Sequence, residues 1–78
     1  MNEIFENIKS IIIDIADIPE DEIELDSEML DDLCLSSIEI MSIIGDIEVK
    51  YDVKFASDDL LKIRSIRDLI SIIEEKKN

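Results

Sequence analysis

Isoleucine spacing is the feature that most constrains the fold of this chain. One face of the first segment carries Ile4, Ile8, Ile11, Ile12 and Ile15. A recurrence every three or four residues is typical of an amphipathic α-helix. The 78 residues include one glycine and one proline, so the chain has little of the turn chemistry that β-hairpins need. We therefore expect a helical domain whose first helix covers Glu3–Ala16, is capped by Asn2 and stops before Pro19.

A second helix is expected to begin at a pair of serines. Ser36 and Glu39 fit the capping box S-x-x-E, in which each side chain binds the other residue's backbone N–H. One apolar face of this helix carries Ile40, Ile43, Ile44, Ile47 and Tyr51. We expect this face to be buried.

Two further helices are predicted towards the end of the chain. A short helix over Asp58–Lys62 is expected to be capped by Ser57, and a last helix begins with a box-like signal from Ser65 to Asp68. The buried stripe of the last helix is expected to be Ile66, Leu69, Ile70 and Ile73. The sequence thus predicts an all-α fold, a small antiparallel four-helix bundle with three main helices and one short helix, which forms a single domain over residues 1–78.

The acidic segment between the first two helices has no regular period. Apolar residues are nevertheless spaced through it: Ile18, Ile23, Leu25, Met29, Leu30 and Leu33. We expect this loop to lie across the core, since long loops in small domains usually contain short turns or have a function.

The charge of the chain points to basic partners. The net charge is −13, and no lysine or arginine occurs between Lys9 and Lys50. Such a field repels nucleic acid and anionic membranes and attracts basic protein surfaces, although it could also serve only to keep an isoleucine-rich domain in solution. The first residues are not those of a signal peptide, and the longest apolar run is too short to span a membrane. We expect a cytoplasmic monomer.

The second serine of the pair needs an explanation of its own. The capping box accounts for Ser36 but not for Ser37, which is expected to be the first residue inside the helix. A side chain there points outward beside N–H groups that have no partner in the helix, where a phosphate is favoured by the helix dipole. Plain capping and a modified Ser37 are both compatible with the spacing.

The sequence resembles the acyl carrier protein family over nearly its whole length. The resemblance depends on the order of helices, the acidic loop and a motif that consists of Asp32, Leu33, Cys34, Leu35, Ser36, Ser37 and Ile38. It implies that Ser37 carries 4′-phosphopantetheine, which a phosphopantetheinyl transferase attaches from coenzyme A. It also implies that the chain is not an enzyme but a carrier, which presents acyl thioesters to acyl-transferring or condensing enzymes with basic docking patches.

The chain departs from the usual family motif. Cys34 stands where the family usually has Gly, Ser36 where it has Asp, and Ile38 where it has Leu, while Ser42 and Gly45 replace a frequent Glu and Met. These departures suggest a carrier in a specialised pathway rather than in housekeeping fatty-acid synthesis. Because no histidine is present to activate the thiol, Cys34 is expected to be a small, partly buried residue.

Two groups of site residues follow from this interpretation. The acidic and apolar partner-binding surface is expected to consist of Asp31, Asp32, Ile38, Glu39, Met41, Asp46 and Glu48. The resemblance implies an acyl pocket lined by Met29, Ile44, Ile47, Phe55, Leu60, Ile63 and Leu69. Because Leu60 and Leu69 are larger than the residues that the family often has there, we expect a tight pocket that prefers shorter chains.

Other classes of function fit the sequence less well. The chain has no histidine and no glycine-rich phosphate loop, so an enzyme is not indicated, and its only glycine is inside a predicted helix, so the EF-hand calcium pattern fails. No metal site is expected. A carrier-like adaptor that binds basic partners without a prosthetic group is the alternative. The cargo could be a fatty acyl chain, a polyketide-type unit, an amino acid or a lipid-modification intermediate.

Overall fold

The computed structural model describes residues 3–77 and confirms the predicted all-α fold. Its helices are α1 (Glu3–Ala16), α2 (Ser37–Tyr51), α3 (Ser57–Lys62) and α4 (Ile66–Lys77), and a short 3₁₀ turn covers Glu20–Glu22. The bounds of α1 agree with the sequence pattern. The predicted cap of α1, Asn2, lies outside the described residues.

Side-chain contacts at one end of the bundle show how the helices run. The side-chain amide of Asn7, near the start of α1, donates a 2.7 Å hydrogen bond to the hydroxyl of Tyr51 at the end of α2. The ammonium group of Lys77, at the end of α4, lies 5.2 Å from the centre of the Tyr51 ring. Helix α1 therefore runs antiparallel to α2 and α4, and it packs against both.

The core consists of the apolar stripes that the sequence predicts. The largest fully buried side chains are Ile8, Ile12, Ile43, Ile47, Ile66, Leu69 and Ile73. Each contributes about 1.5–3 kcal/mol relative to an exposed side chain. No polar or charged side chain is buried among the described residues, so apolar burial dominates the stability of the bundle.

The loop between α1 and α2 crosses the core as expected. Its main chain is bonded to the turn between α3 and α4 and to the first residue of α4. The N–H of Met29 donates to the carbonyl of Arg64 at 3.0 Å, and the N–H of Ile66 donates to the carbonyl of Ser27 at 3.1 Å. Ile23, Met29 and Leu33 are buried. The expectation for Leu30 was wrong, because this side chain is 63% exposed.

Helix α3 begins differently from the prediction. Its N-cap is Ala56 and not Ser57, which is the first residue of the helix. The carboxylate of Asp59 accepts the N–H of Ala56 at 2.9 Å and also lies 2.9 Å from the ammonium of Lys76. None of the described residues of α3 is fully buried, so Asp59 is its main polar attachment to the rest of the bundle.

None of the helices within residues 3–77 has both the length and the apolarity that crossing a bilayer requires.

Candidate functional site

The start of α2 is fixed by the capping box that the sequence predicts. The Ser36 hydroxyl accepts the N–H of Glu39 at 3.1 Å, and the Glu39 carboxylate accepts the N–H of Ser36 at 2.9 Å. Ser36 has the extended backbone of an N-cap, with φ −79° and ψ 164°. As a result, Ser37 occupies the first helical position of α2.

Ser37 is exposed at this position. The N–H groups of Ser37 and Ile38 have no acceptor within residues 3–77, as expected for the first turn of a helix. A shallow depression of about 380 Å³ lies beside the serine and is lined by Ser37, Ile38, Met41 and Ser42. A phosphate on the Ser37 oxygen would meet open space, free N–H donors and the positive end of the helix dipole, so these residues fit a phosphodiester group.

Cys34 lies three positions before Ser37, and the prediction that it is partly buried was wrong. The residue is exposed, and its backbone is left-handed, with φ 56°. This conformation costs an L-residue about 1–2 kcal/mol, and glycine adopts it without that cost. The loop therefore turns at Cys34 in a way that exposes the thiol.

The acidic residues before the serine interact with one another. Asp31 and Asp32 are exposed, and the Asp32 carboxylate accepts the N–H of Glu28 at 2.8 Å. Partial desolvation raises the pKa of Glu28 above its ordinary value, and its hydrogen bond with Asp31 adds to the effect. This part of the loop is thus a negative surface on which neighbouring carboxylates repel one another.

The remaining predicted partner-binding residues are distributed along α2. Ile38 and Met41 are 79% and 55% exposed, and Asp46 is also exposed. The Glu39 carboxylate already accepts the N–H of Ser36 in the capping box. Glu48 is half-buried, and its carboxylate accepts the N–H of Phe55 at 2.8 Å. Asp46 is therefore the carboxylate of α2 that is most available to a partner.

A cleft of about 680 Å³ lies between the loop, α2 and α3. It brings together Met29, Ile44, Leu60 and Ile63 from the predicted acyl pocket. Met41 lines both this cleft and the depression beside Ser37. The cleft and the depression therefore adjoin at Met41.

Three residues of the predicted pocket do not line this cleft. Ile47 and Leu69 are fully buried in the core. Phe55 is half-buried, and the Lys76 ammonium lies 5.8 Å from the centre of its ring. Sequence reasoning did not assign Leu30, Leu61 and Arg64 to the cleft. Leu30 and Leu61 are apolar but lie outside the buried stripe of any helix. This pattern could have indicated that they line a cleft.

The fold and the exposed serine define a carrier domain, and comparison with known proteins identifies its family. Residues 6–73 match the family described as "Phosphopantetheine attachment site". The chain belongs to this family, as the resemblance predicted. Its members carry 4′-phosphopantetheine and are carriers rather than catalysts.

Curated relatives agree with this assignment. An acyl carrier protein of Petrotoga mobilis is 32% identical over 77 residues, which cover 99% of this chain and 91% of the relative. An acyl carrier protein of Thermotoga maritima is 34% identical over 74 residues, which cover 95% of this chain and 91% of the relative. The chain is therefore similar to acyl carrier proteins from end to end.

Proposed function

We propose that the chain carries acyl groups on a 4′-phosphopantetheine arm attached to the Oγ of Ser37. The observation that supports this most directly is the exposure of Ser37 at the first position of α2, in a chain that belongs to the phosphopantetheine attachment family. When bound, the group supplies a flexible thiol that holds acyl groups as activated thioesters. The residues of the chain position this arm.

Loading is a phosphoryl-type transfer to the serine. The Ser37 oxygen forms a bond to the phosphorus next to the pantetheine arm of coenzyme A, and the pyrophosphate bond breaks. Adenosine 3′,5′-bisphosphate leaves with the bonding electrons, and a base of the transferase takes the hydroxyl proton. The free N–H groups and dipole of α2 favour the resulting phosphodiester anion by about 0.3–1 kcal/mol.

The acidic surface around Ser37 would meet the enzymes that load and use the arm. Asp31 and Asp32 are exposed on the loop, and Asp46 is exposed on α2. Each exposed ion pair with a basic patch contributes about 0.2–1 kcal/mol and is weakened by salt. Binding of this kind is fast and reversible, which suits a carrier that must visit several enzymes.

Intact-mass measurement tests the proposal. The chain is incubated with coenzyme A and each of several phosphopantetheinyl transferases, and the modified peptide is mapped. We expect the wild type to gain one phosphopantetheinyl group and Ser37→Ala to gain none. Ser71→Ala is the matched control, because Ser71 is an exposed serine of α4 that lines neither the depression nor the cleft, and it should be loaded like the wild type. Loading of Ser37→Ala would contradict the proposal.

The adaptor without a prosthetic group is the second candidate. It is favoured by one observation, the presence of Ser36 where the resembled family usually has Asp. Ser36 keeps the helix cap but adds no charge beside the attachment oxygen. Failure of every transferase to load the wild type, together with retained binding to basic partners, would support the adaptor.

A further inference from the structure

The cleft between the loop, α2 and α3 has an apolar floor and a charged rim. Met29 and Ile44 are buried and form the floor. The rim, as we define it, consists of the charged lining residues Glu28, Asp31, Lys62, Arg64 and Asp68. A plain hydrocarbon cargo would fit the floor but would displace water from the charged groups without replacing its hydrogen bonds, which is unfavourable. The lining therefore suits a cargo that is not hydrocarbon throughout.

The carboxylates of the rim already have hydrogen-bond partners in the chain. The Asp68 carboxylate accepts the N–H of Arg64 at 3.1 Å and the N–H of Ser65 at 3.2 Å. Glu28 and Asp31 interact with each other through a hydrogen bond between their side chains. The acceptor groups of the rim are thus engaged before any cargo enters the cleft.

The two cations of the rim have no such partners. The side chains of Lys62 and Arg64 are exposed, and neither forms a hydrogen bond or an ion pair with another residue in the range 3–77. A guanidinium group offers five N–H donors and an ammonium group three. The cleft therefore has donors without acceptors, and a cargo that fits it must supply an acceptor.

Arg64 is the cation whose position relative to the floor is fixed. Its carbonyl accepts the N–H of Met29 at 3.0 Å, and its own N–H donates to Asp68. Desolvation raises the pKa of Glu28, and the positive charge of Arg64 opposes that rise, so the guanidinium lies near this carboxylate without pairing with it. Arg64 lines the cleft but not the depression that contains Ser37. It therefore lies away from the attachment point.

Charge determines which kind of acceptor the cleft can take. The rim carries three carboxylates against two cations, and the whole chain has a net charge of −13. An anionic group on the cargo is repelled by this field, and an ammonium group supplies donors rather than an acceptor. A hydroxyl or keto oxygen accepts a hydrogen bond and carries no charge, so it meets both conditions.

We infer that the cleft selects an acyl group with a hydroxyl or keto oxygen towards the far end of its chain, and that the Arg64 guanidinium donates a hydrogen bond to this oxygen. The hydrocarbon part of the cargo packs on Met29 and Ile44. The inference rests on the proposed function, because the acyl group enters the cleft on the arm of Ser37. Arg64 thus determines specificity for the end of the cargo, whereas the apolar floor accommodates its length.

Cargoes of equal size test this preference. The full chain is loaded at Ser37 from coenzyme A thioesters of three acyl groups: octanoyl with a hydroxyl at its far end, octanoyl with an ammonium there, and nonanoyl, which has a methyl group in that place. Thioester hydrolysis is measured relative to the free coenzyme A thioesters. We expect the hydroxyl cargo to be protected about three- to tenfold more than the other two, which is the effect of one hydrogen bond.

Variants of the chain test the role of Arg64. Arg64→Met keeps an apolar stem and removes the donors, so it should abolish the difference between the hydroxyl and methyl cargoes. Lys54→Met removes the same charge at an exposed position outside the cleft and should retain the difference. The NMR signal of the Arg64 Nε–H gives a readout independent of hydrolysis, and it should shift with the hydroxyl cargo and not with nonanoyl.

Several results would overturn the inference. Equal protection of the hydroxyl and methyl cargoes would do so, and a preference for the ammonium cargo would assign the cleft to the carboxylates of Glu28 and Asp31. A preference that is lost in Lys62→Met and kept in Arg64→Met would refute the role of Arg64.

The loading step separates this inference from the proposed function. If no transferase loads Ser37, the proposed function fails. The inference is then tested on the unloaded chain with free pantetheine thioesters of the same three acyl groups. A shift of the Arg64 Nε–H signal with the hydroxyl thioester alone would support the cleft preference, and equal or absent shifts would refute it. A chain that is loaded but shows no preference would refute only this inference.

Discussion

Ser36 and Glu39 hold each other's backbone N–H groups at the start of α2, at 2.9 and 3.1 Å. This reciprocal pair satisfies two of the N–H groups that the first turn of a helix leaves free. It also fixes the position of Ser37, which lies between the N-cap and the interior of the helix. The exposure of Ser37 is thus a consequence of its neighbour's side chain.

Removing the cap should destabilise the protein measurably. We expect Ser36→Ala to lower the free energy of unfolding by about 0.5–2 kcal/mol, because the Glu39 N–H loses its acceptor. Ser36→Asp retains an acceptor and should lose less. Urea denaturation measures both, with Ser10→Ala, a change at an exposed position of α1, as the control. Equal stability of Ser36→Ala and the wild type would show that water replaces the cap without cost.

The left-handed turn at Cys34 should be relieved by glycine. We expect Cys34→Gly to raise the free energy of unfolding by roughly 0.5–1 kcal/mol, since the relief of strain exceeds the entropy that glycine adds to the unfolded chain. Cys34→Ala keeps the strain and should show no gain. Thermal unfolding under reducing conditions compares the three proteins, and a gain in Cys34→Ala equal to that in Cys34→Gly would rule out backbone strain as the cause.

The attachment of α3 through Asp59 should depend on pH. The N–H of Ala56 and, secondarily, Lys76 hold the pKa of Asp59 below its ordinary value of 3.8. Because the pKa is lower in the folded state, the stabilisation is complete above the unfolded value and is lost as the pH falls from 3.8 through the folded value.

Asp59→Asn should therefore lower stability at about pH 7, and its difference from the wild type should shrink at about pH 3. Urea denaturation at both pH values checks this, with Asp58→Asn at the exposed neighbouring position as the control. A difference between wild type and Asp59→Asn that is constant with pH would contradict a role for the ionised carboxylate.

Leu60 should limit the length of the acyl chain that the cleft protects. It lines the cleft and is half-buried, so Leu60→Ala should enlarge the cleft and protect longer chains. Thioester hydrolysis rates over a series from butanoyl to tetradecanoyl cargo measure the protection. Val49→Ala removes a side chain that is 84% exposed and is not part of the cleft lining, so it should change the series little. Full protection of the longest chain by the wild type would refute the expectation.

Features set by neighbouring residues could be predicted from the sequence. The isoleucine period defines α1 over Glu3–Ala16, and the capping box places the start of α2 at Ser37. Both depend on interactions within a few residues. The family motif then placed Ser37 at the prosthetic-group position, which loading experiments must test.

Features set by backbone conformation or by residues far apart in the chain were missed, and so was the local bond that starts α3. Serine is a residue type that often caps helices, so Ser57 was a reasonable prediction. The backbone N–H of Ala56 donates to the Asp59 carboxylate instead, and α3 begins one residue earlier than predicted. Free cysteine usually packs as a small apolar residue, which is why Cys34 was predicted to be partly buried. The loop turns there with a left-handed backbone, which no local pattern of side chains indicates. The bond from Met29 to Arg64 joins residues far apart in the chain, and no local pattern indicates it.

The absence of buried side chains among the described residues of α3 has an energetic consequence. Moving this helix outward would break the Asp59–Lys76 ion pair and would loosen contacts of side chains that are only partly buried, among them Leu60 in the helix and Ile63 at its end. A change in the width of the cleft at α3 therefore uncovers less fully buried apolar surface than the displacement of α1, α2 or α4 would.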